Sequence, residues 1–148
     1  SHVTKRRSAA LQKVVQTVLH HEPSMLYVCP TRGVNLQILP LLLIYEIPVA
    51  LIFPSQHFLV NLTQEEKMIL EAACSKATKI IILDDTPSTP MTWASEWHKA
   101  TKQGIDSSDW VMLVKDEDDD NYGFDELLFK FEGCTKPVLA VDLAEEMA

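Results

Sequence analysis

The residues with the most chemical potential sit where apolar runs end. In "YVCPTRGVNLQILPLLL" an apolar stretch passes through Arg32, a lone Gly33 and Asn35 into a second apolar stretch. Where a strand gives way to a helix, amides and the helix dipole favour a phosphate, and an arginine adds a bidentate grip. The plain alternative is an ordinary turn with a surface arginine. Asp84 and Asp85 follow another apolar run; carboxylates there suit ribose hydroxyls or magnesium, or cap the next helix. The acidic run 116–120 lacks the glycine and closing glutamate of an EF-hand loop, so it reads as a solvated loop. Trp93 and Trp97 share one helix face, fit either to stack on a base or to fill a core. His20, His21, His57 and His98 have no serine or cysteine partner in a nucleophile motif. Of these, only His98, beside Trp97, is retained as a possible ligand contact. Lys5-Arg6-Arg7 is a phosphate site or a solvated basic patch.

Those residues need elements to hold them. Leu11, Val14, Val15, Val18 and Leu19 recur at helical spacing, and His21-Glu22-Pro23 closes that helix. Residues 25–29 read as a short buried strand, 34–45 as a helix apolar nearly all round and bent at Pro40, and 48–53 as a strand buried on both faces. Thr63 and Glu66 form a capping box for a helix to about Cys74, followed by a strand over 79–83. A polar loop over 84–90 precedes a helix over 91–103 stopped by Gly104. A strand over 110–115, an acidic loop, a helix over 124–132 and a strand over 137–141 complete the alternation. Five strands alternating with helices imply right-handed crossovers: a single α/β, Rossmann-like three-layer domain over 1–148 with one mainly parallel sheet.

The totals narrow the function. A chain of 148 residues, 47% hydrophobic, supports one domain with a real core. A formal charge of −8 disfavours a general electrostatic grip on nucleic acid or anionic lipid. Cys29, Cys74 and Cys134 are odd in number and widely spaced, which suits buried thiols rather than a disulfide framework or metal knuckle. No secretory leader pattern opens the sequence, and Gln37, Pro40, Glu46 and Pro48 interrupt its longest apolar run, so no membrane span is expected. These features read as a cytoplasmic protein.

Several segments resemble, in order, the SLOG superfamily, the Rossmann-like group that includes the SMF domain of DNA processing, the LOG phosphoribohydrolases and the YpsA-like proteins. "VTKRRSAALQKVVQTVL" looks like the family's first loop and helix, with Arg6 at the place of its arginine. The four residues ahead of that loop leave scarcely any room for the family's first strand, so the resemblance implies a truncated or tagged form, or a variant sheet without that strand. "CPTRGVNLQILPLLLIYEIPVALIFPS" is similar to its second strand, turn and helix: Gly33-Val34-Asn35 match a Gly-Val-Asp triplet, and Pro54-Ser55 match the strand exit. Ser108-Asp109 and Lys136-Pro137-Val138 anchor the closing half. Tyr122-Gly123 falls at the last phosphate-binding turn, where one glycine replaces the usual two.

The resemblance implies ligand contacts at Arg6, Arg32, Gly33, Asn35, Pro54, Ser55, Asp84, Asp109, Tyr122 and Gly123. It implies a binding module for a nucleotide or nucleotide-derived small molecule at the carboxyl edge of the sheet, in a homo-oligomer. A side chain at Tyr122 where glycine lets backbone approach phosphate argues against turnover. The family's catalytic glutamate has no clean counterpart at Asp125 or Glu126, so a hydrolase of N-glycosidic bonds is the weaker alternative. A scaffold that has lost its ligand and works through protein contacts is the stronger one. The sequence names no cofactor.

Overall fold

At the centre of the molecule lies a strand with no solvent face. In the computed structural model, which describes residues 2–55, 62–84, 93–116 and 135–147, β2 (Val49–Ser55) is buried along its whole length. Its side chains alternate between two layers, as the two-residue period of a strand requires. Val49, Leu51 and Phe53 join one cluster, and Ile52 joins another on the opposite face. β1 (Leu26–Val28) and β3 (Lys79–Asp84) flank β2 in parallel, with Tyr27 opposite Ala50 and Ile52 opposite Ile81. β4 (Val111–Lys115) and β5 (Val138–Asp142) form a second parallel pair, with Leu113 opposite Ala140.

One face of the first sheet is covered by α1 (His2–His20), α2 (Val34–Gln37), α3 (Leu39–Ile44) and α4 (Gln64–Lys76), and the short α6 (Leu143–Met147) packs on α1 and β4 beside them. Val14, Val15, Leu39, Leu42, Leu70 and Leu143 meet in that layer. α5 (Trp93–Ser107) covers the other face, lying over β2 and β1 with Ala100 against Ile52 and Cys29. The fold is therefore mixed α/β with parallel strands, broadly of the Rossmann kind.

Four details differ from expectation. The expected single sheet is divided: β1-β2-β3 and β4-β5 are not joined among the described residues. The apolar helix over 34–45 breaks at Ile38 into α2 and α3, because Pro40, which lacks an N–H, is accommodated in the first turn of a new helix. Gly104 does not stop α5, which runs on to Ser107. It is instead the point of close approach to the sheet: a Cβ there would lie 3.3 Å from Ile52 Cδ1 and 3.6 Å from Tyr27 Cβ. Finally, β3 is not covered throughout, since Ile80, Ile82 and Leu83 are exposed.

Other expectations hold. The capping box is present: Glu66 N–H donates to Thr63 Oγ1 at 3.1 Å and Thr63 N–H to Glu66 Oε1 at 2.8 Å. Cys29 is buried, Cys74 is half-buried, and neither is in a disulfide. No helix among the described residues is long and apolar enough to cross a membrane.

Candidate functional site

The break between the sheets encloses a crevice of about 300 Å³. β1 forms one wall through Leu26, Tyr27, Val28 and Cys29, and β4 the other through Val111, Met112 and Val114. Val14 and Val18 of α1 close it on one side, and Thr101, Gly104 and Ile105 of α5 on the other. The helices following β1 and β2 lie on the face opposite α5, so the winding of the chain reverses between β1 and β4. In open α/β folds such a reversal splays the connecting loops apart at the strands' carboxyl ends, where ligands collect.

A local network rims the carboxyl end of the crevice. The carbonyl of Cys29 accepts from Thr31 N–H at 2.7 Å and from Asn35 Nδ2 at 2.9 Å, which folds the turn after β1 onto itself. Gly33 takes φ 108° in that turn, a conformation that favours glycine for its missing Cβ. Arg7, near the start of α1, donates from Nε to Gln37 at 3.0 Å and from a terminal nitrogen to Asp116 at 2.6 Å. Asp116 immediately follows β4 and is buried. One arginine thus ties the entry of α1 to the ends of α2 and β4. At the crevice's other end, Ser108 and Asp109 precede β4, and the rings of His21 and Trp110 pack 4.3 Å apart.

Arg32 points elsewhere. Its Nε and a terminal nitrogen donate to the two carboxylate oxygens of Glu66 at 2.9 and 2.8 Å, tying the turn after β1 to the cap of α4. The guanidinium, with Thr63 N–H, holds the Glu66 carboxyl down to about 2, and Glu66 in turn raises Arg32.

Among the other sequence-predicted residues, Arg6 is exposed on α1 close to Arg7. Pro54 and Ser55 end β2 and are buried, with Ser55 in register with Asp84 at the end of β3. Asp109 is exposed and sits at the amino end of β4, so it shares the crevice with Asn35 but lies at the opposite end. Lys136 Nζ donates to the carbonyls of Ile105 and Asp106, placing a cation on the carboxyl terminus of α5 where the dipole favours one. Trp97 is half-buried against the core. His57, Asp85, Tyr122, Gly123, Asp125, Glu126, Cys134 and the acidic residues 117–120 lie outside the described residues. Among those described, no three His, Cys, Asp or Glu are grouped to hold a metal.

Sequence reasoning missed the Arg7, Gln37 and Asp116 cluster. Its traces were Arg7 in the basic trio and Asp116 at the head of the acidic run, but nothing local in the sequence links them. The chain matches no protein-family model, and no curated protein matches it.

Proposed function

We infer that this chain is a binding module for a nucleotide or nucleotide-derived small molecule, held without turnover at the carboxyl mouth of the crevice between β1 and β4. The observation that carries this is the reversal of winding at that crevice, where α5 and the helices after β1 and β2 take opposite faces. Charge supports it. Lys5, Arg6 and Arg7 stand near the amino end of α1, whose first turn holds no acidic residue, so cations meet the positive end of a 19-residue helix. Asp116 answers Arg7, while an anionic group would answer the exposed Lys5 and Arg6. Asn35 and Thr101 add polar side chains inside the mouth. The resemblance to the SLOG superfamily points to the same edge, and implies a ligand contact for Arg6. Arg32 contributes through Glu66 to the shape of the turn rather than by gripping phosphate.

A specific observation favours a second reading. Ile80, Ile82 and Leu83 leave apolar side chains of β3 exposed, which suits a protein contact or self-association.

A thermal-shift panel of nucleoside mono-, di- and triphosphates, cyclic nucleotides, ribose phosphates and nicotinamide dinucleotides tests the first reading. A ligand that binds only the native state at a hundredfold excess over its dissociation constant stabilises by about 2.7 kcal/mol. The expected result is a hit that is retained in Arg32→Ala and lost in Arg6→Ala/Arg7→Met, each variant referred to its own ligand-free melt. A cooperative melt with no hit would discard the ligand and leave the contact surface on β3.

A further inference from the structure

We propose that the crevice between β1 and β4 is a strand slot, filled by an extended apolar segment that leads into α1 from its amino-terminal side and joins the two sheets into one.

Backbone direction is the first ground. Leu26 N–H donates to Pro48 across the β1–β2 ladder at 2.8 Å, so in a parallel pair the peptide groups of the next residue, Tyr27, turn to the opposite edge. Val111 N–H donates to Pro137 toward β5 at 2.9 Å, so those of Met112 and Val114 turn away from β5. Tyr27, Met112 and Val114 all line the crevice. Among the described residues, two strand edges therefore face each other without pairing, each presenting the donors and acceptors that a strand between them would use.

The size and walls of the space agree. The cleft between the two edges holds about 300 Å³ and is partly open to solvent, so a segment can enter it without parting the sheets further. Helices already cover both faces. Val14 and Val18 offer an apolar floor. A strand buried on both faces is apolar at successive positions, which defines the occupant's chemistry.

The path of α1 selects which segment enters. The carboxyl end of α1 feeds β1 through residues 21–25, and Arg7 holds its amino end beside Asp116 at the carboxyl side of β4. A strand running through the slot parallel to β1 would emerge beside the start of α1. Strand, α1 and β1 would then form a crossover of the kind the following units make, and such crossovers are right-handed.

The test is amide exchange by NMR, without ligand, on the 148-residue chain and on the same chain carrying Val-Ala-Val-Ile-Val-Gly-Asn-Gly ahead of Ser1. In the first, Tyr27, Met112 and Val114 should exchange at least about a hundredfold faster than Val28 and Leu113, whose amides point into the ladders. The added strand should remove that difference, and a control with proline at its second and fourth positions should not. Three results would overturn the proposal: equal protection in the 148-residue chain at all concentrations, fast exchange persisting with the added strand, or protection of the 148-residue chain that grows with its own concentration, which would give the slot to a second copy. None of these readouts depends on a nucleotide, so this proposal and the ligand site fail separately.

Discussion

Arg7 and Asp116 are 109 residues apart in sequence and meet at 2.6 Å, the arginine mostly covered and the aspartate almost fully so. The pair crosses the carboxyl side of the crevice where the two sheets fail to join, and with Gln37 it gathers α1, α2 and β4 around one guanidinium. Removing one partner of a covered ion pair takes the opposite charge from a group that stays desolvated, which costs more than the pair itself contributes. Arg7→Met is expected to lower stability by about 1–3 kcal/mol, read as a lower urea midpoint with an unchanged slope. Asp116→Asn should cost less, since an amide oxygen still accepts from Arg7. Equal midpoints for Arg7→Met and the parent would show that the pair does not hold the sheets' ends together.

Acid should loosen the tie between the turn after β1 and α4. The Glu66 carboxyl sits at about 2 in the folded chain, below its unfolded value near 4.3, because Arg32 and Thr63 N–H hold its charged form. Its contribution is therefore complete above about pH 4.3 and is lost as the pH falls toward 2. Arg32 is more than half exposed, so salt should shrink the effect. Glu66→Gln should flatten the pH dependence of stability across that window. An unchanged slope would mean that Glu66 is not held by this pair.

Glu46 ends α3 in an unfavourable backbone conformation. Its φ is 56°, its N–H donates to Leu43, and the N–H of Ile47 donates to Leu42, the two bonds of a Schellman cap. Glycine enters that region without a Cβ penalty, so Glu46→Gly should raise stability by about 0.5–1 kcal/mol. A drop in the thermal midpoint would show that the Glu46 side chain matters more than its backbone.

Gly104 tests how closely α5 approaches the sheet. Alanine gains about 1 kcal/mol in helix propensity but presses on the Ile52 methyl at 3.3 Å, so Gly104→Ala is expected to stay within about 0.5 kcal/mol of the parent. Gly104→Leu has no room beneath it and should cost about 1–3 kcal/mol or more. A neutral leucine variant would show that the helix can lift from Tyr27 and Ile52.

What the sequence disclosed follows the range of the forces involved. The capping box at Thr63 and Glu66 spans three residues, and β2 carries its burial in an unbroken apolar run, so both were readable. Gly104 was misread because a glycine late in a helix looks the same whether it ends the helix or admits a neighbouring strand. Arg32 was placed on a ligand by its position after β1, but Glu66, 34 residues on, competes for the same fork. The Arg7 and Asp116 pair and the split between β1 and β4 arise from elements far apart in the chain, and no local pattern encodes them.

A titration followed by amide shifts tests most directly whether the carboxyl mouth of the crevice is the proposed binding site. With a nucleotide chosen from the thermal panel, the largest shifts should fall on Arg6, Arg7, Cys29, Asn35 and Lys115, which border that mouth. Shifts confined to Ile80, Ile82 and Leu83 on β3, or no shifts at saturating nucleotide, would contradict it.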